Sequence, residues 1–320
     1  MPLVISAQAQ QTPHVANLYL PALAPATMND ATVAAAFYQD YADSYDFLNI
    51  IYTPEHFANR FHYATRNTVS GIGLGLFDNG AAYGVPATHR LRGITVYPIV
   101  DYFDLAERAS LHELGHQWIN YLTAPKLQGV TPHWPVSSLA FGMMGWQCCA
   151  NTQGLDWPFQ LTPLGGGNYQ CNDMGDSLVY NDMELYLMGL APASEAGSYV
   201  VFTNQNQSCG ASLSGPAQTV TSADVIAQHG ARSPAWPSAQ SKFWVATVVV
   251  SQSFLSADEM AFLDYFAARG SLTIPLDFTA GFASGTTWPF YLATGGRGCL
   301  VTTIDHTGGC YRLELPLIHR

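Results

Sequence analysis

Along the first third of the chain, helical and extended patterns alternate. "NDATVAAAFYQDYADSY" carries apolar residues at helical spacing and predicts a helix opened near Asp30. "DFLNIIYT" and "LRGITVYPIV" are short apolar runs rich in β-branched residues and predict strands. Between them, "GIGLGLFDNGAAYG" predicts an edge strand followed by a turn at Asn79-Gly80. A further helix begins near Asp104 and is expected to end around Thr123-Ala124-Pro125. Within it Leu111, Leu114, Trp118, Tyr121 and Leu122 recur at steps of three and four, an apolar stripe that can anchor it in a core.

The pattern then changes. Residues 123 to 180 are rich in Pro, Gly, Trp and Asn and lack periodicity, which predicts ordered loops around a cleft. "NDMELYLMGLAP" predicts a short buried helix stopped by Gly189 and Pro192. In the last third "FWVATVVVS" predicts a buried strand. "SADE" is a capping box with Leu255 and Met260 at the staple positions, opening a helix that runs to Gly270. "CLVTTI" and "YRLEL" predict closing strands. This mixture indicates an α+β class. No internal repeat or clean linker divides the chain, so residues 1–29 are expected to be an N-terminal extension. Residues 30–320 are then a single domain, with an N-terminal part at 30–122 and a C-terminal part at 123–320.

Composition narrows the partners. With 48% hydrophobic and 11% charged residues, a chain of 320 residues buries a large core. A net charge of -11, with Lys126 and Lys242 the only lysines, disfavours nucleic acid. No apolar run reaches the length of a membrane span. Six cysteines without a CxxC pair fit disulfides better than a cysteine metal site, with Cys299–Cys310 a plausible local bridge and Cys171–Cys209 a weaker one. Low lysine content, abundant small polar residues and the small-x-small triplet Ala7-Gln8-Ala9 point to an exported, extracellular chain; a plain disordered start is the alternative for the first residues. A monomer is expected.

Candidate chemistry lies on the helix after Asp104. In "HELGH", His112 and His116 are four apart and project from the side nearly opposite the apolar stripe. Two imidazoles one turn apart suit a zinc ion, and Glu113 beside the first is placed to act as general base on a water. Gly115 weakens a helix interior by roughly 1 kcal/mol relative to Ala, which makes sense if something approaches the backbone closely. The third ligand is open between two residues. His133 follows a chain reversal, with Met143 and Met144 available as a methionine floor. Glu184 is a lone carboxylate in an apolar helix, which is costly to bury unpaired; it could ligate or accept a hydrogen bond from a ligating histidine. The metzincin continuation fails, because Ile119 and Leu122 stand where it needs Gly and His.

"HELGHQW", "HW" before a Ser/Met/Gly-rich turn, "ELYLMGL" and "ATGGRGCLVTTI" together resemble a group of secreted bacterial zincin-like proteins, over about residues 45 to 305. The resemblance implies a zincin-like fold, with a twisted mixed sheet and the HExxH helix. It implies one catalytic Zn²⁺ bound by His112 and His116, and Glu113 as base. The expected activity is that of a zinc endopeptidase acting on extracellular proteins or peptides. The alternatives are a zincin-fold binding or adhesion protein recognising a glycan or protein surface, and a zinc hydrolase of non-peptide amides. Tyr180 and Tyr186 are candidate donors to an oxyanion. His62, His89 and Arg90 are candidate cleft residues. Gly73–Gly75 is a candidate edge for an extended peptide.

Overall fold

The computed structural model describes residues 8–20, 29–53, 60–99, 102, 106–122, 127, 133–145, 159–173, 179–205, 207, 212–274 and 289–305. In chain order the strands are β1 (Gln8–Gln11), β2 (Val15–Tyr19), β3 (Phe47–Thr53), β4 (Phe61–Ala64), β5 (Arg66–Asn67), β6 (Phe77–Asp78) and β7 (Gly93–Tyr97). They continue with β8 (Phe159–Gly165), β9 (Asn168–Asp173), β10 (Ser198–Phe202), β11 (Ser212–Leu213), β12 (Ala217–Thr221), β13 (Lys242–Ser251) and β14 (Cys299–Val301). The helices are α1 (Asp30–Asp40), α2 (Ala106–Gly115), α3 (Asp182–Met188), α4 (Ser222–His229), α5 (Ala257–Arg269) and α6 (Phe290–Ala293). The class is α+β with a mixed sheet. Among the described residues no helix is long and apolar enough to cross a membrane.

Two compact units divide the chain. The first is Met1–Arg66, Phe77–Leu114 and Lys242–Arg320. Its sheet runs β1-β2-β13-β3-β7-β4, with β14 also paired to β13. β2, β3 and β14 lie parallel to β13, and β3 is parallel to β7; β1 and β4 are antiparallel at the two ends. β13 is the long apolar run "KFWVATVVVS", buried along nearly its whole length, as a strand covered on both faces should be. Alternation assigns its faces. Ala246, Val248 and Val250 pack with Leu48, Ile50, Ile94, Val96, Val33 and Phe37. Val249 packs on the other side with Val15, Ile51, Tyr97, Met260, Leu263 and Phe266. On that second side a cavity of about 40 Å³ is lined by Asn49 and Thr247 from the sheet, Ser110 and Leu114 from α2, and Phe266 from α5. Leu111 and Leu114, the part of the apolar stripe that lies within α2, line this cavity beside the sheet.

Several expectations change here. Residues 8–19 are not an extension: β2 pairs with β13 from Val15↔Thr247 to Ser251↔Tyr19, and Val15, Ala16 and Leu18 are fully buried. The first of the two units joins segments from the first and last thirds of the sequence. α5 carries its capping box at Ser256 and Glu259. Gly270 closes it in right-handed conformation at φ -58; a Cβ there would stand 3.3 Å from the Thr302 methyl, so close packing accounts for the glycine rather than a left-handed turn. "YRLEL" lies outside the described residues.

The second unit is Asn67–Leu76 and Gly115–Ser241. It holds the β8–β9 hairpin, extended by β11, and the β10–β12 pair. The hairpin lies in the stretch expected to be irregular. α3 is a seven-residue helix that starts at a full capping box between Asn181 and Glu184 and ends at Gly189 in left-handed conformation, φ 82. The segment before it is pinned to β10: Phe202 N donates to Val136 O, Val200 N donates to Ser138 Oγ, and Ser137 bridges Val201. Gly73–Gly75 is no edge strand. Gly73 turns at φ +84 with its Cα against the Tyr121 carbonyl, where any Cβ would overlap it.

Candidate metal centre

α2 ends sooner than its pattern implies. Its last residue is Gly115, and residues 116–118 turn, with Trp118 N and Ile119 N both donating to Gly115 O. Asn120 then takes a left-handed φ of 77, a conformation asparagine tolerates better than most residues. Glycine's low helix propensity makes this the place where the helix is easiest to leave. Trp118 and Leu122 are still buried, and the Tyr121 hydroxyl donates to His116 O at 2.5 Å, closing the turn over the histidine's own backbone.

Ligating nitrogens of His112, His116 and His133 all lie within 4.8 Å of one another, and all three residues are buried. The rings of His116 and His133 meet edge to face with centroids 5.6 Å apart. These three buried histidines could bind a metal ion. Glu113 is 5% exposed, and its Oε1 is 3.1 Å from Nε of Arg60, the residue just before β4. Arg60 is a site residue that sequence reasoning missed. It sits in a polar stretch ahead of a four-residue strand, with no local pattern linking it to α2.

Gly115 has the close neighbour its position suggested. A Cβ there would overlap Met144 Sδ and stand 3.3 Å from Tyr180 Cε1. Met143 and Met144 are both buried, and Met144 lies directly against the HELGH backbone.

Glu184 stands outside the histidine group. It is fully buried, and each of its oxygens is engaged: Oε1 accepts from Trp134 Nε1 at 2.8 Å and Met144 N at 3.2 Å, and Oε2 from Asn181 N at 2.8 Å. The Met143 backbone donates as well. Burial pushes the carboxyl up to about 7, against the pull of these N–H donors. Asn181 Nδ2 donates to Leu139 O, and an added Cβ at Gly142 would overlap the Glu184 carboxylate. The turn at residues 142–145 is thus wrapped closely around this one side chain.

The other candidates are engaged elsewhere. The Tyr186 hydroxyl accepts from Arg232 N. His62 Nδ1 is 2.9 Å from Thr95 Oγ1, His89 pairs with Asp78, and Arg90 pairs with Asp46. Cys171 and Cys299 are each disulfide-bonded, and the four remaining cysteines, with the pairings expected for them, lie outside the described residues. Comparison with protein families, with curated proteins and with solved structures finds no match to this chain.

Proposed function

We propose that the chain is an exported zinc-dependent endopeptidase of zincin-like fold, with His112, His116 and His133 as the metal ligands and Glu113 as general base. The observation that carries this reading is the cluster of three buried imidazoles with a carboxylate next to the first of them. The donor set fits zinc: three neutral nitrogens leave a fourth position of a tetrahedral ion for water or substrate. The surroundings fit too, because the histidines are themselves buried and their neighbour Gly115 is packed by the buried Met144. A zinc ion bound there supplies Lewis acidity, polarising the scissile carbonyl and lowering the pKa of a water.

The chain's own groups do the rest. Glu113 accepts the water's proton and returns it to the leaving amine as the C–N bond breaks. Arg60 fixes the rotamer of Glu113 through Oε1. Tyr180, whose ring lies against Gly115, is the candidate donor to the carbonyl oxygen. β4 stands last in the strand order, and Arg60, which directly precedes it, touches Glu113. Disulfide-bonded cysteines favour the exported setting.

The test combines metal analysis with proteolysis. Purified protein should carry one zinc per chain and cleave casein or a peptide library. Glu113→Gln should keep its zinc and fold and lose at least about a hundredfold in kcat. A chain that carries zinc but leaves every peptide intact supports the binding-protein alternative, and a Glu113→Gln variant as active as wild type refutes the mechanism.

A further inference from the structure

We infer that Glu184 is a positioning residue for the metal centre: one carboxylate that sets both the His133 ligand segment and the methionine floor, and not itself a ligand. The inference rests on the metal-centre reading above. Its starting point is lone-pair accounting. An ionised carboxylate has about four acceptor positions. Here Trp134 Nε1, Met144 N, Asn181 N and the Met143 backbone supply four N–H donors, so little remains for a metal ion.

What those donors belong to gives the carboxylate its role. Trp134 directly follows His133, and its indole is held at 2.8 Å by Oε1. The same Oε1 holds Met144 N, and the Met144 side chain lies against Gly115, next to His116. One oxygen atom therefore fixes, within a residue of each, the third ligand and the packing under the second. Oε2 ties that oxygen to α3 through the Asn181 capping box, so the carboxylate cannot swing without breaking the helix start. The side chain at 184 must accept on both oxygens. Glutamine has one acceptor oxygen, and its NH₂ would face an N–H donor.

Zinc titration against a competing chelator, with the folded protein and Zn²⁺ as the probe, tests this. Wild type should bind one zinc. Glu184→Gln should bind it roughly ten- to a hundredfold more weakly. Trp134→Phe removes a single donor and keeps a smaller aromatic ring in its place, so it supplies a second variant should Glu184→Gln not fold; it should also weaken zinc, by a smaller factor. Substitution with Co²⁺ separates positioning from mere stability: the visible d–d bands of both variants should shift from those of wild type at a temperature where both are folded. If wild type binds no zinc, the metal-centre reading falls and this inference with it. If wild type binds zinc and both variants match it in affinity and Co²⁺ spectrum, the inference alone is overturned.

Discussion

Gly115 is the residue where helix chemistry and site packing meet. Alanine there would gain about 1 kcal/mol of helix propensity. Its methyl would overlap Met144 Sδ and crowd Tyr180, and overpacking of this kind costs about 1–3 kcal/mol. The second effect should win, because Met144 is fully buried and the Tyr180 ring also stands 3.3 Å from the added methyl. Gly115→Ala should therefore lower stability in chemical denaturation. The pair Gly115→Ala with Met144→Ala should be less destabilised than the sum of the two single variants, since the smaller side chain removes the overlap. Strict additivity would mean that the contact does not constrain the glycine.

Among the elements, the helices show how far local signals carry. The capping boxes at Ser256 and Asn181 are both present, and Gly189 adopts the left-handed turn its place after the helix implies. The two caps differ in what else they hold. Ser256 caps an exposed helix start, so Ser256→Ala should cost about 1 kcal/mol. Asn181 is buried, and its Nδ2 also serves Leu139 O. Asn181→Ala should cost about 2–3 kcal/mol, the cap plus a carbonyl left without its donor. Equal losses for the two variants would contradict the second role. α2 shows the limit of such signals: its apolar stripe continues past Gly115 in the sequence, yet the chain turns there, and Trp118 and Leu122 are buried without being helical.

For the whole molecule, Glu184 should leave a mark on stability against pH. Its folded value is raised to about 7 from an ordinary 4.5, so the folded chain holds this proton more tightly than the unfolded one. The associated stabilisation is fullest below pH 4.5, is lost as pH rises to about 7, and changes no further above it. On chelator-treated protein, the stability of wild type relative to Glu184→Gln should fall between pH 5 and pH 7.5. A difference that stays flat across that window would show that the carboxyl is not raised.

What the sequence determined by itself was local. The starts of α1, α3 and α5, the strands β3, β7, β13 and β14, the HELGH spacing and the need for a close neighbour at Gly115 all follow from periodicity, caps and residue type within a few positions. Pairings between distant segments followed from none of these. β1, β2 and β4 are four or five residues long and acquire their place only from partners, in the case of β2 from β13 in the last third of the sequence. Arg60 reaches Glu113, and Trp134 reaches Glu184, across separations that leave no trace in a local pattern. His133 and Glu184 looked alike as ligand candidates because a buried polar side chain needs partners, and a sequence does not say which. Tertiary structure gives the two different surroundings: His133 lies with His112 and His116, and the Glu184 carboxylate is surrounded with N–H donors.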